Sequence, residues 1–251
     1  MTTLEGQLAL ITGASRGLGR GIALALAENG ADIAVNYHTS VQEAHAVQAD
    51  IEALGRRCLV VKADVARADE VNAMFAAIDR HFGRLDILVN NAGTSRAEDI
   101  FTITEESWDF ILNTNLKSMF LCAQAAMFRM RDRHSGRIIN ISSVVGQQGA
   151  LFGHVHYAAT KSAILGFTKT LARTAAPHGI TVNAIAPGII RTELLFQTHG
   201  EDGVRTLADG IPLGLGEPRD VGLAAAYLAG EGGRYLTGTC IDVNGGLYMR
   251  T

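Results

Sequence analysis

The sequence predicts an α/β chain folded as a single doubly wound parallel sheet with helices on both faces, and two features predict it. Short apolar runs alternate with amphipathic stretches of 12 to 20 residues along the whole chain, the pattern of β-α-β units around a buried parallel sheet. The first apolar run also empties directly into a glycine-rich turn that opens a helical pattern. No proline precedes Pro177, no low-complexity linker interrupts the series, and no repeat has the period of a solenoid or propeller. Residues 1–251 are therefore assigned to one domain.

Strands are predicted at 7–12, 32–37, 57–62, 86–90, 136–142, 180–185 and 238–243. Helices are predicted near 16–29, 41–54, 67–82, 105–131, 156–176 and 218–229. The first strand ends in Thr12-Gly13-Ala14-Ser15-Arg16-Gly17-Leu18-Gly19. Glycines there let a phosphate approach the backbone, and the helix beginning at that point offers unpaired N–H groups and a positive dipole end. The spacing is G-x-x-x-G-x-G, and three glycines would also serve as plain turn chemistry. The second strand ends at Asn36 without the acidic residue that binds a ribose 2′-hydroxyl, while Arg16 supplies a guanidinium suited to a 2′-phosphate. Together these favour NADP(H) over NAD(H).

Asp64-Val65 and Asn91-Ala92-Gly93 follow the third and fourth strands, at the C-terminal strand ends where open α/β sheets bind ligands. Asn115 lies in the middle of the long helical stretch 105–131, where Asn is a poor helix former. It is either a tolerated surface residue or the mark of a kink that frees an amide or a carbonyl. Ser142 and Ser143 both end the fifth strand. Tyr157 and Lys161 are one helical turn apart, which places an ammonium beside a phenol and favours the phenolate. Alone, that pair reads first as an exposed contact on a surface helix. Pro187, Gly188, Ile189 and Thr192 turn away from the sixth strand, and the glycine-rich segment near 193–215 reads as a mobile lid over a substrate.

Apolar residues make up 47% of the chain, and 22 basic residues nearly balance 25 acidic ones, which points to neither a nucleic-acid nor a membrane-surface partner. Three widely spaced cysteines and no close ligand pairs imply no metal site and a reducing, cytoplasmic setting. The opening residues lack the basic region of a secretion signal, and no apolar run approaches the length of a membrane span.

Taken in order, Thr-Gly-x-x-x-Gly-x-Gly, Asn-Asn-Ala-Gly, the mid-helix Asn, Ser-Ser, Tyr-x-x-x-Lys and Pro-Gly make the sequence resemble the short-chain dehydrogenase/reductases over essentially its whole length. The resemblance implies a Rossmann-type sheet of about seven strands and a catalytic set of Asn115, Ser143, Tyr157 and Lys161. In that set Tyr157 is the acid/base, Lys161 lowers its pKa and holds the nicotinamide ribose, Ser143 polarises the substrate oxygen, and Asn115 holds a relay water. It further implies a cofactor site of Gly13, Ser15, Arg16, Gly17, Leu18, Gly19, Asn36, Asp64, Val65, Asn91, Ala92, Gly93, Tyr157, Lys161, Pro187, Gly188, Ile189 and Thr192. A homotetramer is implied as well, with residues 238–246 similar to a C-terminal strand that helps build its interfaces.

Within the family the chain is most similar to β-ketoacyl carrier-protein reductases, with three departures. The interval from Ser143 to Tyr157 is one residue longer, His178 stands where those reductases carry a basic residue that docks an acyl carrier protein, and Pro212-Leu213-Gly214 is not followed by arginine. The expected activity is interconversion of a ketone and a secondary alcohol, with a β-ketoacyl thioester as first substrate and a sugar, polyol or other small alcohol as second. The alternative of another class is a dinucleotide-binding sensor or scaffold without catalysis. The loop carrying Phe152, His154 and His156 is expected to shape the pocket, its histidines exposed and without a catalytic role.

Overall fold

Side chains of alternate parity on a strand point to opposite faces of a sheet, so a strand covered on both sides must be apolar throughout. The computed structural model, which describes residues 3–150 and 153–250, shows this in the first strand, β1 (Leu8–Ile11): Leu8 and Leu10 join one hydrophobic cluster, Ala9 and Ile11 the other. The chain continues as α1 (Gly17–Glu28), β2 (Asp32–Tyr37), α2 (Val41–Ala53), β3 (Cys58–Lys62), α3 (Ala68–Phe82) and β4 (Ile87–Asn90). Then come α4 (Glu105–Leu112), α5 (Ser118–Met130), β5 (Gly136–Ile141), a short α6 (Val145–Gln148) and α7 (Val155–Ala175). The last elements are β6 (Ile180–Pro187), α8 (Glu193–Asp209), α9 (Pro218–Ala229) and β7 (Cys240–Val243).

All seven strands are parallel, in the order β3-β2-β1-β4-β5-β6-β7. One cluster packs Ile22 and Leu26 of α1, Val47 and Ile51 of α2, and Val221 and Ala225 of α9 on one face. The other packs Val71, Phe75 and Ile78 of α3, Cys122 and Ala126 of α5, and Ala172 and Ala175 of α7 on the opposite face. Strand order reverses between β1 and β4, and the crevice beyond their C-terminal ends is where an open sheet of this kind holds a ligand.

Each predicted strand is present, but the predicted elements differ from the structure in three places. The helix expected over 105–131 is interrupted by a π-helical turn, Asn113–Lys117. The segment 193–215, expected to be loop-rich, is mostly the helix α8. Thr192 caps it by accepting the Leu195 N–H at 3.4 Å, and Gly200 (φ 64°, ψ 175°) absorbs a kink within it. The loop after Ser143 carries the unpredicted turn α6. Among the described residues no helix is long and apolar enough to cross a membrane, and Cys58, Cys122 and Cys240 are free.

Candidate active site

The glycine turn is built by backbone conformation and by side chains borrowed from neighbouring strand ends. Gly13 and Gly17 adopt φ of 63° and 54°, and a Cβ on Gly19 would lie 2.4 Å from the Gly13 carbonyl oxygen, so only glycine fits this approach. Asn36 is buried: its Oδ1 accepts the Gly13 N–H at 3.1 Å and its Nδ2 donates to the Ala63 carbonyl at 3.1 Å. It therefore shapes the turn from beneath. Thr12 Oγ1 accepts the N–H groups of Asn91 and Ala92 at 3.0 Å each, and Asn91 Nδ2 donates to the carbonyls of Thr12 (2.9 Å) and Gly13 (3.1 Å). The ends of β1, β2 and β4 are thus one hydrogen-bonded unit.

The residues around this turn suit a dinucleotide phosphate. Arg16 occupies the N-cap of α1 without a side-chain cap bond, and the first turn holds no acidic residue. The orphan amides and positive dipole end of α1 therefore face the crevice uncompensated. Arg16 is exposed, and its guanidinium has no hydrogen bond or ion pair with any described residue. Ser15 is buried beside it, and Leu18 packs on the core. Asp64 accepts the Ala66 N–H at 2.9 Å, and Val65 is buried beyond β3.

Across the crevice, the Gly188 N–H donates to the Val243 carbonyl at 2.9 Å, and Ile189 accepts from the Gly216 N–H at 3.1 Å. A Cβ on Gly17 would lie 3.7 Å from Thr192 Cγ2, so the turn after β6 closes over the glycine turn.

Beside this crevice β5 and α7 bring the polar set together. The two serines separate in the structure: Ser142 Oγ donates to the Lys161 carbonyl at 2.8 Å, whereas Ser143 stands near enough to the Tyr157 phenol to influence its acidity and accepts the Val145 N–H at 3.2 Å. Lys161 is buried, with Nζ 5.6 Å from the Tyr157 ring centroid and donating to the Ile141 carbonyl at 2.9 Å. Burial lowers its pKa to about 8. Burial also raises the Tyr157 phenol above its ordinary value, and Ser143 opposes that shift. The expectation of a phenol lowered by the ammonium is therefore corrected: in the protein alone desolvation wins, and Lys161 turns its proton toward Ile141.

Asn115 sits in the π-helical turn and is buried. Its amide is spent on both backbone groups of Thr94 (2.8 and 2.9 Å) and on Thr160 Oγ1 (3.2 Å). A Cβ on Gly93 would lie 3.2 Å from Asn115 Oδ1 and 3.7 Å from Lys161 Nζ, so residues 91–93 line the same wall.

The expectation of exposed loop histidines is also overturned. His156 is fully buried, 2.9 Å from Glu98 Oε2, and its Nδ1 accepts the Tyr157 N–H at 3.0 Å. His154 has φ 59°, meets Ser95 Oγ at 2.9 Å, and sets its ring centroid 6.1 Å from that of Tyr157. Phe152 lies outside the described residues. Sequence reasoning missed Thr12, Thr94, Glu98 and Thr160 as supports. Only Thr12 had a signal, its place at the head of the glycine motif. Among the described residues, no group of three or more His, Cys, Asp or Glu is placed to hold a metal.

Comparison with known proteins agrees with this fold. Residues 13–248 match the family described as enoyl-(acyl carrier protein) reductase. The chain is 46% identical over 242 residues to the 3-oxoacyl-(acyl-carrier-protein) reductase FabG of Staphylococcus aureus, covering 96% of this chain and 98% of that protein. It is 42% identical over 247 residues to FabG of Vibrio cholerae, covering 98% and 99%. A short-chain type dehydrogenase/reductase from Mycobacterium marinum superposes with a TM-score of 0.93 at 36% identity, covering 99% of this chain and 98% of that one. A blue fluorescent protein from a metagenomic library, solved in complex with NADPH, superposes with a TM-score of 0.91 at 38% identity, covering 98% and 100%.

Proposed function

Because the chain belongs to the short-chain dehydrogenase/reductase family, we propose that it is an NADP(H)-dependent oxidoreductase that reduces the ketone of a 3-oxoacyl thioester to a secondary alcohol. The observation that carries this reading is the convergence of Ser143, Tyr157 and Lys161 beside a glycine turn whose Arg16 has no anionic partner. NADP(H) fits the turn by the chemistry of its donors: uncapped amides for the pyrophosphate and a guanidinium for the 2′-phosphate. The similarity to FabG proteins and to a fold bound to NADPH supports the same cofactor.

When bound, the nicotinamide supplies the hydride to the carbonyl carbon. The protein's part is to hold and protonate the oxygen. Ser143 donates a hydrogen bond that stabilises the developing oxyanion, and Tyr157 delivers its proton to that oxygen. Lys161, charged below about pH 8, favours the phenolate left behind. The Asn115 side chain is already satisfied, so its contribution to a relay water is assigned to its backbone carbonyl, which lies in the π-helical turn. Ile189 and Thr192 would hold the carboxamide of the bound nicotinamide, and α8, kinked at Gly200, would serve as the lid on the substrate side.

NADPH oxidation by the purified protein, with an acetoacetyl thioester beside a panel of simple ketones, sugars and polyols, tests the assignment. The acyl thioester is expected to be the best substrate, and Tyr157→Phe to lower kcat by ~10²–10⁴-fold. Full activity in Tyr157→Phe would sink the mechanism, and activity confined to the sugars would move the substrate class. Adding the thioester on an acyl carrier protein tests docking in the presence of His178, which lies beside His134 in a groove of α5 and α7.

That groove, about 410 Å³ and lined by Phe120, Met127, Phe128, Phe167 and Leu171, supports assembly as a homotetramer in which a second copy packs on α5 and α7. Three free cysteines support a reducing, cytoplasmic setting.

A further inference from the structure

Tyr157 is the third residue of α7, in the turn where helical amides lack intrahelical partners. A helix usually satisfies such a donor with a Ser, Thr, Asp or Asn at the N-cap. Here the N-cap is His154, in the left-handed region, and it makes no side-chain cap bond. The Tyr157 amide is instead accepted by His156 Nδ1 at 3.0 Å.

An Nδ1 that accepts requires the proton on Nε2, and Nε2 faces Glu98 Oε2 at 2.9 Å, so His156 donates there. Glu98 also accepts from the Ser107 hydroxyl, and Ser107 Oγ accepts from Arg96 at 3.3 Å. The Ser107 amide is held in turn by Thr104 Oγ1, the cap of α4, at 3.1 Å. These bonds hold the Glu98 carboxyl below its ordinary range, Ser107 contributing most and His156 next among them, so it accepts the imidazole N–H as a carboxylate. The segment 94–98 is anchored at its other end by Thr94 on Asn115, and Gly153 packs on it closely enough that a Cβ would lie 3.0 Å from the Glu98 carbonyl.

We propose that His156 and Glu98 are positioning residues for Tyr157, forming a hydrogen-bonded chain from the first turn of α4 to the Tyr157 amide that sets where the phenol stands relative to Ser143. The proposal rests on Tyr157 being the proton donor of a ketone reduction. His156 and Glu98 act through the Tyr157 backbone, so the effect expected of them is on turnover more than on binding. A displacement of the phenol by about 1 Å is enough to cost on the order of 10²-fold in rate.

Two side chains separate the halves of the imidazole. Asn at 156 keeps an acceptor where Nδ1 stands but does not reach Glu98; Gln keeps a donor where Nε2 stands but offers Tyr157 no acceptor. The test measures kcat, KM for the ketone, Kd for NADPH and Tm in His156→Gln, His156→Asn and Glu98→Gln. His156→Gln is expected to lose about 10²-fold in kcat with KM and Kd within twofold of wild type. His156→Asn should recover most of that loss, and Glu98→Gln should fall between the two at near-normal Tm. Wild-type kcat in His156→Gln, or equal losses in Gln and Asn tracking Tm, overturns the proposal. If His156→Gln does not fold, unchanged kcat in Glu98→Gln overturns it. A wild-type protein that oxidises NADPH with none of the ketones fails the functional reading instead, which keeps the two failures distinct.

Discussion

Tyr157 and Lys161 are each pushed away from the charged form by the same burial, one phenol raised and one ammonium lowered to about 8. For Lys161 the consequence reaches stability. The unfolded chain holds the proton up to about 10.5 and the folded chain only to about 8, so between those values the unfolded state binds more protons and stability rises with pH. Below pH 8 the folded state carries the full cost of a buried cation. Lys161→Met removes that cost, so its stability relative to wild type should decline as pH rises from 8 to 10.5, by a few kcal/mol in chemical denaturation. A pH-independent difference would show that the ammonium is not desolvated. Arg16 carries a separate prediction. As a partnerless guanidinium at the N-cap of α1, its replacement by Ala should weaken NADPH binding by ~1–3 kcal/mol and leave NADH little changed, measured by titration of intrinsic fluorescence. Equal losses for both cofactors would remove Arg16 from the 2′-phosphate.

Among the elements, the glycine turn depends on one close approach. A methyl group at residue 19 would meet the Gly13 carbonyl at 2.4 Å and Asn91 Nδ2 at 2.6 Å, contacts that backbone must move to relieve. Gly19→Ala is expected to lower stability by ~1–3 kcal/mol and to weaken NADPH binding with it. Unchanged Tm and Kd would mean that the turn has slack. The π-helical turn at Asn113–Lys117 explains why an asparagine sits in a long helix: the widened turn lets the Asn115 amide bond both backbone groups of Thr94. The sequence marked Asn115 as anomalous and left open whether a kink freed a hydrogen-bonding group there. The expectation for 193–215 failed because glycine was taken as a sign of loop. Gly203 is instead accepted within α8, and Gly200, with non-helical backbone angles, divides α8 into two helical pieces joined at a kink.

At the scale of the molecule, the apolar face of α5 and α7 is exposed where a soluble chain would bury it, with Phe120 at 45% and Phe128 at 57%. If a second copy covers it, Phe128→Glu should shift the species seen by light scattering to a smaller assembly at unchanged helical content. The same mass in both proteins would discard this face as an interface. The strand segments and their parallel, helix-covered arrangement were legible in the alternation of runs, because a parallel sheet covered on both sides demands continuous apolar strands with helices between them. The cofactor crevice followed from the glycine turn at the end of the first strand. What the sequence determined by itself was therefore local and periodic: seven strands, the turn, and a Tyr and Lys one helical turn apart. Tertiary structure alone decided which of Ser142 and Ser143 meets Tyr157, that Asn36 supports the turn from below, and that His156 is buried against Glu98. Each of those depends on residues 14 to 58 positions apart brought together by strand pairing and helix docking, and no local pattern encodes such a distance.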